Sequence, residues 1–155
     1  MQPDKPTQIV LSMLSPSEVK SFGGLPGEAV LGVYAGPDES LDHFRPNRTF
    51  IDFLHRVLAD LGARCPELAA AARAQGNGGQ YQIDPRTPEG TDGNVPPEDI
   101  IGAFEVREGV LVPGSYWPNP EYRVLTKNGP TGFTPTQREA FVSALRERRS
   151  DAGGT

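Results

Sequence analysis

VPPEDIIGAFEVREGVLVPGSYWPNPEYR, residues 95–123, holds the strongest strand signals in the chain, its single tryptophan and two of its four tyrosines. Residues 99–106 and 110–112 flank Arg107-Glu108-Gly109, which reads as a hairpin with glycine where a positive φ is needed. Residues 115–123 stay extended. Pro118 and Pro120 confine them to the edge of a sheet or outside it, because proline offers no ladder donor.

This stretch has a counterpart earlier in the chain. LPGEAVLGVY (25–34) aligns with VPPEDIIGAF (95–104) at a constant separation of 70 positions. Pro26 and Pro96, Glu28 and Glu98, and Gly32 and Gly102 are identical pairs. FRPNRTF (44–50) then aligns with YWPNPEY (116–122) at 72 positions, matching Pro46 with Pro118 and Asn47 with Asn119. Two blocks in one order and one register predict a duplicated unit of strand, turn and aromatic-Pro-Asn motif, each copy followed by a helix. The copies span about 25–62 and 95–149. The expected fold is α+β, with two related halves forming a mainly antiparallel sheet covered by helices.

The remaining elements follow from local patterning. Residues 7–14 are β-branched and apolar and predict a strand. Ser15-Pro16-Ser17-Glu18 reads as a capping box opening a short helix that ends at Gly23-Gly24. Gly36-Pro37-Asp38 ends the strand at 29–34, and residues 40–47 read as loop. Phe50, Leu54, Val57, Leu58 and Leu61 recur at helical spacing over 48–61. Pro66 opens a second helix at 66–74, residues 80–84 alternate as a short strand, and Thr134 opens a last helix reaching about Arg149. Residues 85–97 read as a polar, solvated loop. Residues 1–6 and 150–155 read as flexible tails.

At 155 residues the chain fits one domain with a core of its own, and 18 glycines with 16 prolines predict short elements and many turns. Fifteen basic against twenty acidic residues give a net charge of −5, which disfavours a nucleic-acid partner. The run Arg146, Arg148 and Arg149 complements a helix C-terminus. One cysteine, Cys65, excludes an intramolecular disulfide. No apolar stretch is long enough for a membrane span or signal segment, so a cytoplasmic location is expected.

Catalysis needs converging groups, and none is evident. His43 falls in a loop and His55 at the border of a helical apolar stripe. Cys65 stands at a helix N-terminus, which can lower a thiol pKa, but lacks an identifiable base. No ligand spacing for a metal is present, and Asp84, Glu89, Asp92 and Asn94 lack the ladder of a calcium loop. The expectation is a non-enzyme with no cofactor and no metal. Asn47 and Asn119 suit caps and turns. The aromatic motif either covers the sheet or presents a recognition surface, since Trp, Tyr and Arg dominate interface hot spots. Tyr116, Trp117, Asn119, Tyr122 and Arg123 are the candidate partner-binding residues, with Trp117 and Arg123 the expected exposed ones.

Residues 80–123 resemble the type VII secretion system-associated proteins of actinobacteria. The resemblance rests on Ile83-Asp84-Pro85 at a strand end, Pro96-Pro97-Glu98-Asp99-Ile100-Ile101-Gly102 opening the next strand, and Asn119-Pro120-Glu121-Tyr122-Arg123. Val124-Leu125 departs from the Pro and Ser that follow the Arg in that family. The resemblance implies an accessory, protein-binding role with another protein as partner: a secretion component or a secreted substrate. An immunity protein that neutralises a secreted toxin is the alternative reading. The sequence leaves the oligomeric state open.

Overall fold

The structure, a computed structural model, describes residues 9–35, 41–88 and 95–153, with the side chains of the last helix described as far as Arg148. The expected tail at 1–6, the Gly36-Pro37-Asp38 break, and Glu89, Asp92 and Asn94 lie outside the described residues. The chain is of the mixed α+β class. Strand β1 (Ile9–Ser12) leads through helix α1 (Pro16–Ser21) to β2 (Val30–Tyr34) and β3 (Phe44–Pro46), which form an antiparallel sheet in the order β1-β2-β3. The capping box of α1 is complete: Glu18 N donates to Ser15 Oγ at 3.2 Å and Ser15 N to Glu18 Oε1 at 2.9 Å. Helix α2 (Arg48–Gly62) buries Phe50, Phe53, Leu54, Val57, Leu58 and Leu61, one continuous stripe at helical spacing.

Helix α3 (Pro66–Gln75) feeds β4 (Gly78–Ile83), which pairs with the long central strand β5 (Ile100–Arg107). On its other side β5 pairs with β6 (Val110–Leu111) and β7 (Trp117–Pro118). Glu108 and Gly109 connect β5 to β6 with φ of 48° and 77°, so both residues of the turn are left-handed, as a tight hairpin of matching twist requires. A small hairpin, β8 (Leu125–Thr126) with β9 (Gly129–Pro130), precedes helix α4 (Pro135–Gly153).

The two sheets share a local geometry. Asn47 Nδ2 donates to the carbonyls of Gly27 and Val30 at 2.9 and 2.8 Å, and Asn119 Nδ2 to those of Pro97 and Ile100, both at 2.8 Å. Gly32 stands opposite Pro46 and Gly102 opposite Pro118. A Cβ on Gly32 would lie 2.4 Å from Arg45 O, and one on Gly102 2.6 Å from Trp117 O, so only glycine admits the neighbouring strand at either place. The likeness extends to β1 and β4, where the sequence shows none. Both strands shift register late, between Leu11 and Ser12 and between Gln82 and Ile83.

The structure differs from the expectations at several points. The strands divide among separate sheets instead of one, because each sheet pairs within its own half. Residues 44–46 are a strand, not loop, held by pairing with β2. Asn47 caps a helix and Asn119 opens a turn, as expected of each, but the β8–β9 hairpin stands between Asn119 and α4, so no helix directly follows the second copy's motif. Helix α4 continues to Gly153, through most of the expected C-terminal tail. One buried cluster draws on both halves: Leu31, Phe50 and Leu54 pack with Ile101, Tyr122 and Val124, and α4 closes over them with Phe141 and Leu145. Phe141 meets Phe53 edge-on at a centroid distance of 5.2 Å.

Candidate functional site

The solvent face of the second sheet carries a row of three residues in register. Tyr81 on β4 and Trp117 on β7 both stand opposite Ala103 on β5. Residues directly opposite share a face, so the two aromatics flank a methyl-sized residue two strand spacings apart, about 10 Å. Tyr81 is 61% exposed and Trp117 53%. Beside Trp117 lies an open trough of about 460 Å³ floored by Gly78, Gly79 and Ala103 and edged by Glu105 and Arg107. Glu105 and Arg107 pair with each other at 2.8 Å.

The row is held from below. Strand alternation turns Tyr116 inward as Trp117 turns outward. Tyr116 packs on Phe104 at a centroid distance of 5.1 Å, and its hydroxyl lies 2.7 Å from His55 Nδ1 on α2. Burial raises the Tyr116 pKa, so the phenol keeps its proton, and the His55 tautomer that carries its own proton on Nε2 accepts from it. Burial also lowers the His55 pKa, which favours the neutral ring that accepts. His55 is thus a positioning group under β7. His43 lies in the turn before β3, where its carbonyl accepts from Ala35 N at 2.7 Å. Cys65 is buried and makes no capping bond.

A second support is a buried ionic cluster that sequence reading assigned to solvated loop. The side chain of Arg86 is 4% exposed and those of Asp84 and Asp99 fully buried. The Arg86 guanidinium uses all five donors. Nε donates to Asp99 Oδ1 at 2.9 Å, Nη1 to the carbonyls of Val124 and Gly129, and Nη2 to those of Glu98 and Arg123. Thr87 Oγ1 and Asn128 Nδ2 complete Asp99 at 3.1 and 2.8 Å. Asp84 accepts from the N–H groups of Arg86 and Gly132, both at 3.0 Å, and from the Tyr122 hydroxyl at 2.8 Å. Burial raises the Asp84 pKa, and these donors with the Arg86 charge oppose that. Two carboxylates and one guanidinium tie the end of β4, the start of β5 and residues 122–132 together. The sequence signal was present in Ile83-Asp84-Pro85: an acid placed directly after a strand and before a proline is a turn residue. Its burial required partners up to 48 positions away.

The five candidate residues therefore separate. Trp117 is exposed on the sheet face. Arg123 is exposed too, but in a different depression of about 800 Å³ lined with Asp42, Glu98, Glu121, Thr126 and Lys127. Asn119 and Tyr122 are buried, with their polar atoms bonded within the fold, and Tyr116 faces His55. Tyr81, exposed in register with Trp117, was not singled out from sequence; its place in the alternating QYQID stretch was the available signal. Among the described residues no three His, Cys, Asp or Glu side chains are grouped to hold a metal ion, and no helix is long and apolar enough to cross a membrane. Compared with protein-family models, curated proteins and solved structures, the chain matches none of them.

Proposed function

We propose that the protein is a non-enzymatic, protein-binding accessory factor of a type VII secretion system, working in the cytoplasm. The observation that carries the binding role is the Tyr81–Ala103–Trp117 row, two exposed aromatics in register on one sheet face and outside the buried core. Tyr and Trp bring large contact area at low entropic cost and dominate hot spots. The secretion assignment rests on the resemblance over residues 80–123. The partner is a secretion component or a secreted substrate. The test is affinity capture from an actinobacterial lysate with the native chain and with Trp117→Ala. A secretion component or substrate should be retained by the native chain and lost with Trp117→Ala. Recovery of neither, or equal recovery with both, would sink the reading. Capture and neutralisation of a secreted toxin would establish the immunity reading in its place.

We also propose that the two halves descend from one duplicated unit. The matched Asn47 and Asn119 bonds and the matched Gly32 and Gly102 approaches support this. Related chains should then keep both Asn and both Gly in register. Relatives in which one half has an unrelated architecture would contradict it.

A further inference from the structure

Among the described residues β4 is the end strand of its sheet, and its outer edge has no paired strand. Val112 N donates to Glu105 O at 2.8 Å and Glu105 N to Ser115 Oγ at 3.0 Å, so Glu105 turns both its main-chain groups away from β4. Alternation along an antiparallel ladder then turns Phe104 and Gly102 toward β4, and their partners Gln80 and Gln82 toward β5. Gly79 and Tyr81 face the other way. The Gly79 carbonyl takes Gln75 Nε2 at 2.8 Å, while Tyr81 presents its N–H and C=O on the open edge. Such an edge is a template for another strand, and proteins usually guard it with charge or proline. Residues 75–83 (QGNGGQYQI) contain neither.

On the inner face of the same strand, Gln80 is 9% exposed, and its Nε2 has no acceptor among the described residues. Its Oε1 accepts from Gln82 Nε2 at 3.4 Å. Both amides line a groove of about 280 Å³ between β4 and the Thr134, Thr136 and Gln137 start of α4. A buried amide donor without a partner is destabilising, and no described group in this groove supplies the acceptor.

We propose that β4 pairs antiparallel with β4 of a second copy of this chain, about a two-fold axis at Tyr81. That register pairs Tyr81 with itself through two main-chain bonds and sets Gln80 opposite Gln82 of the other copy. The Gln82 Oε1 of one chain then meets the Gln80 Nε2 of the other, twice over. Two uncharged segments join without like-charge repulsion, although each chain carries a net −5. Gly79 binds its new neighbour once Gln75 releases its carbonyl. The pairing goes beyond the function proposed above: it extends the sheet and leaves Trp117 open, while it sets Tyr81 of the row beside its own copy.

Sedimentation of the purified full chain, from micromolar to millimolar concentration, tests the pairing without any partner protein. A reversible monomer–dimer equilibrium is expected. Tyr81→Lys sets lysine against lysine on the edge and should weaken the dimer on the order of tenfold or more. Gln80→Leu removes the unpaired amide, so it should weaken the dimer without lowering monomer stability. Should either variant fail to fold by circular dichroism, Tyr81→Pro removes the outward N–H without touching the β5 ladder. A chain monomeric at every concentration, or a dimer unmoved by the folded variants, overturns the proposal.

Discussion

Asn47 and Asn119 make the same four hydrogen bonds 72 positions apart. Each side chain donates to two carbonyls, one in the 3-10 turn before the neighbouring strand and one at that strand's first residue. Each side-chain oxygen takes an N–H two residues on, from Thr49 and from Glu121. Each main-chain N–H donates to the strand, to Leu31 and to Ile101 at 2.8 and 3.0 Å. The bonds hold a turn against a strand in both halves, but the chain beyond differs: α2 follows one and a β-hairpin the other.

Asn119→Ala should therefore destabilise the chain by about 2–3 kcal/mol, because two carbonyls of a part-buried turn each lose a donor and the turn loses its bond to Glu121 N. Asn119→Asp should cost more, since a carboxylate would face the same two carbonyl oxygens. Urea unfolding reads both. Equal stability of Asn119→Ala and the native chain would refute the clamp.

Arg86 is the second point of weakness. Arg86→Ala would leave Asp84 and Asp99 buried without their cation and take one donor from each of four carbonyls, with an expected loss of roughly 3–5 kcal/mol. Arg86→Lys keeps the charge but brings three donors where five are used, so it should recover only part of that loss. Full recovery by lysine would show that charge, and not the fork geometry, holds the cluster.

Gly102→Ala places a methyl 2.6 Å from Trp117 O and 2.5 Å from Tyr116 Oη. The β7 strand must then move off β5, at about 1–3 kcal/mol. Trp117 fluorescence should shift, and loss of stability should accompany it. An unchanged emission spectrum would mean that β7 does not need the close approach.

His55 sets a pH dependence with a definite sign. Burial lowers its folded-state pKa below the ordinary 6.5, against the nearby Asp52 carboxylate and together with the Arg48 charge. The unfolded chain then binds the proton more tightly than the folded one, so stability is fully present above about pH 6.5 and falls as the pH drops below it. Protonation also ends His55's ability to accept from Tyr116. Unfolding midpoints measured between pH 5 and pH 7.5 should show this slope, and His55→Gln should flatten it. An unaltered slope in the variant would place its origin elsewhere.

By itself the sequence determined the helices and the central strands, because these depend on signals carried within a few residues. Pro16, Pro66 and Pro135 mark helix starts, the apolar stripe from Phe50 to Leu61 marks α2, and Glu108-Gly109 marks the hairpin. It also exposed the parallel between the two Asn segments, since identity at fixed separation needs no three-dimensional information. Tertiary structure alone decided which of those residues could meet a partner. Tyr122 and Trp117 are both aromatics of one short motif, yet one is buried against Asp84 and the other stands in water. That outcome depends on strand alternation and on acceptors many positions away, which local spacing does not encode. The same holds for Arg86: a charged residue in a turn-rich loop reads as solvated, and only the convergence of Asp99 and four distant carbonyls takes it inside.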